Sequence, residues 1–258
     1  MESSPIILND SVFIYSSLIA DSVPIVRLEN KNKRPFPKFY QAIRNNKTWQ
    51  GGIPASSEPF FNYDSLGIPN GAFSEDNRRF YFTLSHRDKH GKKVSYLYVS
   101  NKKGNGWSTP EILPDKVNEI GYINSQPAVC DYLNNYEIVY FVSDRPGGWG
   151  SYDIWYTVYN KSLKTYNKAV NAGGYLNSAG ADITPYYDAS SKTMYFSSDA
   201  QVGYGGFDVY RTMVPWLNGC PLRILDFPLI PITTTYITKN ERKMKVVFWF
   251  QTETKALI

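Results

Sequence analysis

One stretch constrains this chain more than any other: residues 140–156, YFVSDRPGGWGSYDIWY, because a second copy follows at 195–210, YFSSDAQVGYGGFDVY. Each copy runs from an aromatic segment through Ser-Asp (Ser143-Asp144, Ser198-Asp199) and a glycine-rich connection to Asp-aliphatic-aromatic (Asp153-Ile154-Trp155, Asp208-Val209-Tyr210). β-Branched and aromatic residues favour a pleated strand. Gly147, Gly148 and Gly150 in one copy, and Gly203, Gly205 and Gly206 in the other, give a reversing chain its backbone freedom. The pattern predicts a β-hairpin written twice, hence a repeat architecture.

Asp144 and Asp199 open the connection, where a short carboxylate accepts hydrogen bonds from exposed backbone N–H groups. A glycine loop with flanking aspartates also suits a divalent cation, but the spacing is not that of an EF-hand loop. The turn-building reading leads, and neither a metal nor a cofactor is expected.

Weaker copies extend the pattern. Residues 13–17 and 80–85 take the place of 140–143, and 38–42 and 96–100 take the place of the returning strand. Turns at 46–49 and 104–110 follow, carrying Trp49 and Trp107. A second marker, GYINS at 121–125, returns as GYLNS at 174–178, each ahead of a strand. Four short antiparallel strands in a unit of roughly 50 to 60 residues predict a propeller blade. The expected fold class is all-β: a partial β-propeller with about four visible blades, near 11–70, 71–120, 121–173 and 174–220. Propellers run from about four to eight blades, so the chain reads as a fragment.

From about 221 the blade pattern stops, and 221–258 reads as an atypical tail. Shifting the reading frame restores blade-like strings with suitable codons, and two positions are forced: Met244-Lys245 must give Glu, and Trp249-Phe250 must give Val. A frameshift near 212–223 is the expectation, which puts the place of Cys220 in doubt. The other cysteine, Cys130, lies in a strand-like stretch and reads as a small buried residue.

Composition agrees with half-buried strands: aromatics make up 16%, with 21 Tyr. A formal charge of +5 from dispersed lysines and arginines, densest at 31–34 and 89–93, lacks the stripe of a nucleic-acid surface. No apolar run approaches the length of a membrane span. The N-terminal MESSPIILNDSVFIYSS shows neither a basic n-region nor an apolar h-region, so no secretory signal is read in this chain.

The two strong hairpins, each preceded by a strand and a short turn, resemble the WD-repeat-like blades of TolB-type proteins. More narrowly, they resemble cell-envelope propeller proteins of Bacteroidota, of the OmpA-family and type IX secretion kind. The resemblance covers about 71–211 and continues in weaker form from residue 11; no OmpA-like domain is visible. It implies a periplasmic or outer-membrane-associated setting, with protein partners that include peptidoglycan-associated or outer-membrane components.

Support for catalysis is thin at this level. The only histidines, His86 and His90, flank a lysine-rich hairpin tip, and no nucleophile elbow, H-E-x-x-H or P-loop is present. Asp182, Asp188, Asp199 and Asp208 are close in sequence, and any two could converge as glycoside-cleaving carboxylates. Yet Asp144/Asp199 and Asp153/Asp208 recur between units, which suits a role in the blade. Trp107 and Trp149 are candidates for stacking on a ligand; Trp49 and Trp155 read the same way or, with them, as packing. The expectation is a non-enzymatic scaffold for protein or envelope interactions, with a carbohydrate-binding or glycoside-cleaving propeller as the alternative.

Overall fold

The computed structural model describes residues 2–17, 38–46, 48–55, 59, 70–201 and 205–213. Gly203, Cys220, the basic stretch 31–34 and the tail 221–258 lie outside the described residues. The fold is an all-β propeller of four antiparallel sheets in chain order. The first blade is β1 (Glu2–Asn9), β2 (Val12–Ser17), β3 (Lys38–Asn45) and β4 (Thr48–Pro54). The second is β5 (Gly71–Phe73), β6 (Arg79–Arg87), β7 (Lys93–Lys103) and β8 (Gly106–Trp107), with β9 (Glu111–Ile112) also on β7. The third is β10 (Asn124–Tyr132), β11 (Tyr136–Ser143), β12 (Asp153–Asn160) and β13 (Thr165–Tyr166), with β14 (Val170–Asn171) also on β12. The fourth is β15 (Asp182–Asp188), β16 (Thr193–Ser198) and β17 (Asp208–Met213).

The aromatic runs follow from stacking blade on blade. Successive side chains of a strand point to opposite faces, and the second strand of an inner blade is covered on both. In β11, Val139 and Phe141 pack towards Tyr81, Leu97 and Val99 of the second blade. Ile138 and Tyr140 pack towards Met194, Phe196 and Tyr210 of the fourth. Phe80, Phe82 and Leu84 of β6 likewise meet Ile14 and Phe39 of the first blade. Each such side chain taken from water is worth roughly 1.5–3 kcal/mol, so the blade interfaces hold the fold together. Cys130 is in the same interior, and burial pushes its thiol well above the ordinary range.

The inner strands are also tied to one another. In β10 and β15 the register slips at a bulge, between Ser125 and Ala128 and between Ile183 and Tyr186. The bulged residues before Pro127 and Pro185 are left-handed, Gln126 at φ 56 and Thr184 at φ 54, a costly conformation for a β-branched residue. It frees the backbone N–H groups for the neighbouring blade. Thr184 donates to Gln126 Oε1 at 2.7 Å and Gln126 donates to Asn70 Oδ1 at 2.9 Å. At the opposite end of the blades, wholly buried Glu137 is held by Arg79, which forks onto both its oxygens, and by the Tyr81 hydroxyl at 3.1 Å. Burial opposes the charge on Arg79, but the hydrogen bonds and charge of Glu137 outweigh it and hold the guanidinium above its usual range.

The two GY-x-N-S markers do not occupy one place. Asn124 of the first opens β10, whereas Asn177 of the second precedes β15 by five residues. The counterpart of Asn177 is Asn118. Asn118 Oδ1 accepts the N–H of Leu97 and its Nδ2 donates to Leu97 O, and Asn177 clamps Ile154 in the same way. A side-chain amide that can cap a neighbouring strand or open its own yields one sequence marker for two structural positions.

Candidate functional site

The glycine hairpins and most of the singled-out carboxylates gather at one end of the third and fourth blades. Asp144 Oδ1 accepts the N–H of Ile123 at 2.6 Å, and Asp199 Oδ1 accepts that of Ala181 at 2.7 Å. Each therefore reaches the segment that enters its own inner strand. Asp153 accepts from Trp149 N–H at 2.8 Å and from Gly150 N–H at 3.3 Å, and Asp208 accepts from Gly205 N–H at 3.3 Å. Burial, and then the charge of Asp182, push the Asp153 carboxyl above its ordinary range, against the pull of the two loop N–H groups. Ser143 and Ser198 are buried: Ser143 Oγ accepts from Arg145 Nε at 3.0 Å, and Ser198 Oγ is 3.3 Å from Ser178 Oγ.

The glycines are set by close approach as much as by turn angle. Gly147 (φ 88), Gly205 (φ 121) and Gly206 (φ 64) are left-handed or near it. Gly148 and Gly150 are not; a Cβ on Gly148 would fall 1.7 Å from Asp153 Oδ2, and one on Gly150 would fall 1.7 Å from the carbonyl oxygen of Gly180. The hairpin is therefore pressed against its own carboxylate on one side and the next blade on the other.

Two tryptophans put forward as stacking residues part company. Trp107 is half-buried, its ring 5.8 Å from that of Phe73 in the packing between the first and second blades. Trp149 is 63% exposed although its backbone is pinned to Asp153. Its six-membered ring lies on Gly174, where a Cβ would be 2.6 Å from the ring. Tyr152 in the same loop and Tyr175 next to Gly174 are exposed as well. Trp49 is exposed but tilts against Phe13, and Trp155 is buried with Arg145 over its ring.

Of the four carboxylates taken as able to converge, Asp182, Asp199 and Asp208 lie at the end carrying Trp149. Asp188 closes β15 at the far end, six residues or about 20 Å along the strand, bound to Ser190 and Ser191. Asp144 is half-buried and Asp199 exposed, so both reach solvent beside the Trp149 loop. Burial, and then the charge of Asp144, raise the Tyr152 hydroxyl above its usual range. Among the described residues no three His, Cys, Asp or Glu side chains gather as a metal cluster.

No protein-family model and no curated protein sequence matches this chain. Matching solved structures include an α-L-arabinofuranosidase from Lactobacillus brevis, 11% identical over 81% of this chain with a TM-score of 0.40. A thermostable family-43 glycoside hydrolase is 14% identical over 91% of this chain and 72% of its own, with a TM-score of 0.47. A protein of unknown function from Dyadobacter fermentans is 14% identical over 81% and 60%, with a TM-score of 0.48. This chain spans 64% of the length of the arabinofuranosidase. These are likenesses of fold.

They nevertheless correct the resemblance read from the sequence. The two enzymes among them are described as an α-L-arabinofuranosidase and a family-43 glycoside hydrolase, and none of the three is described as a WD-repeat-like or TolB-type protein. The physical reason lies in the markers. Both Ser-Asp aspartates, both closing aspartates, and Gly150 and Gly205 are engaged in bonds of the blade corner, so they report a propeller hairpin and not a lineage. The OmpA-family and type IX secretion readings fall with the resemblance, as do the non-enzymatic scaffold role and the expectation of no enzyme. The periplasmic or outer-membrane setting and the protein partners are not tested by these likenesses. Recurrence assigned the paired aspartates to the blade, but a role in the blade does not bar a carboxylate from chemistry as well.

Proposed function

We propose that this chain is a carbohydrate-active propeller that takes a saccharide on the Trp149 platform. The observation that carries the reading is the exposed indole of Trp149. Its ring rests on a glycine and its backbone is bonded to a buried carboxylate, so a large apolar face is kept in water by a rigid support. Exposing such a ring has a hydrophobic cost, and its use is to receive a flat, partly apolar partner such as a pyranose or furanose face. Trp149 has no copy in the fourth blade, where Tyr204 stands in the matching glycine-flanked position. Asp144 and Asp199 offer carboxylates next to that platform, the residue type glycoside cleavage employs.

The test uses immobilised neutral polysaccharides, with release of reducing sugar assayed in the same samples. Wild-type protein is retained, and Trp149→Ala, folded by circular dichroism, elutes in the void. Equal elution of both proteins and no sugar release would remove the proposal. Release by wild type, lost in Asp144→Asn or Asp199→Asn, assigns the cleaving role.

A further inference from the structure

Asn124 and Asp182 hold one place in successive blades. Each opens the inner strand, buried, and pairs with the serine of the Ser-Asp motif, Ser143 and Ser198 respectively. The residues around them match as well. The only parallel bridges among the described residues, Ser95 with Ile123 and Tyr152 with Ala181, lie directly ahead of each. The Asn118 and Asn177 clamps lie a turn earlier. By this register the carbonyls of Ser95, Glu119 and Tyr122 correspond to those of Tyr152, Ser178 and Gly180.

Asn124 meets its three carbonyls with its amide. Nδ2 donates to Glu119 O at 3.0 Å, Ser95 O at 3.2 Å and Tyr122 O at 3.3 Å, while Oδ1 accepts the Glu119 N–H at 3.3 Å. Asp182 keeps only the accepting half. Its Oδ2 takes the Ser178 N–H at 2.5 Å and the Ser178 hydroxyl at 2.9 Å. By the register its Oδ1 takes the place of the Asn124 amide nitrogen, and it is buried and without a hydrogen-bond partner among the described residues. Two of the carbonyls that correspond to those met by the Asn124 amide lie together beside Gly150. The point where a Gly150 Cβ would stand is 1.7 Å from Gly180 O and 3.0 Å from Ser178 O. Gly180 O and Tyr152 O each accept one backbone N–H, from Ser151 and Asp182, and each carbonyl has a second lone pair.

A buried acceptor facing acceptors is costly unless something positive stands between them. A carboxylate oxygen with several carbonyl oxygens on a tight loop is the donor set that hard cations choose. We propose that this corner binds an oxygen-seeking cation of the calcium class, held by Asp182 Oδ1 and the carbonyls of Tyr152, Ser178 and Gly180. The cation joins the loop that carries Trp149 to the segment entering the fourth blade. The inference rests on the blade register and stands whether or not Trp149 takes a saccharide.

The test titrates calcium chloride calorimetrically into the chelator-stripped full chain and follows the thermal midpoint in calcium and in EDTA. Wild-type protein binds one ion, and at a hundredfold excess over Kd its midpoint rises by about 5–10 °C. Asp182→Asn restores the amide of the preceding blade, so it folds, binds no calcium and melts at one temperature in both buffers. A wild-type protein with no heat of binding and no difference between calcium and EDTA would overturn the proposal. Retained calcium binding in Asp182→Asn would overturn it equally.

Discussion

Trp149 keeps its face to solvent because Gly174 has no side chain. Adding one puts a methyl 2.6 Å from the end of the indole, and the ring, being free on its other side, moves. Gly174→Ala is therefore expected to fold with little loss of stability yet bind saccharide at least about tenfold more weakly, as for a displaced hot-spot aromatic. A titration alongside wild type checks it; unchanged affinity would mean that the ring position is irrelevant. Glu137 shows the opposite residue type, engaged on every side. Removing it in Glu137→Ala leaves the half-buried guanidinium of Arg79 with Asp76 as its one acidic partner among the described residues, and the expected cost is about 3 kcal/mol in urea unfolding. A loss under about 1 kcal/mol would show the pair to be a surface-like bridge. Glu137 was not legible in the sequence. Glu137 reads as one more polar residue before an apolar run, and its partner is 58 positions away. Trp149 was legible as a candidate, but its exposure follows from Gly174, which only the fold brings beneath it.

At the scale of elements, the hairpins were readable because two local signals agree. Alternating aromatic residues set the strands and glycines set the reversals, and both act over a few neighbours. The outermost strands β8, β9, β13 and β14, two residues each, carry too little pattern to be seen. The GY-x-N-S marker misled for a related reason: asparagine caps and opens strands with the same atoms. The glycines differ in what they tolerate. At Gly150 the obstacle is the backbone carbonyl of Gly180, which cannot swing aside as a side chain would. Gly150→Ala is expected to cost about 1–3 kcal/mol, as overpacking does, lowering the urea midpoint at unchanged m-value. A midpoint equal to wild type would contradict the tight seating of the hairpin on the fourth blade.

For the whole molecule, repetition made the architecture legible and hid the function. What recurs from blade to blade is what builds a blade, so the strongest sequence signals pointed to the propeller and to a mistaken lineage. What acts once, such as an exposed tryptophan or an aspartate replacing an asparagine, stands out only when blades are laid on one another. The central claim is that Trp149 is a saccharide platform. The most direct measurement is a titration of the chain with soluble oligosaccharides followed by tryptophan emission, with Trp149→Ala as the paired sample. A saturable blue shift in wild type that is absent from the folded variant is the predicted result. No shift in wild type, or the same shift in both proteins, would contradict it.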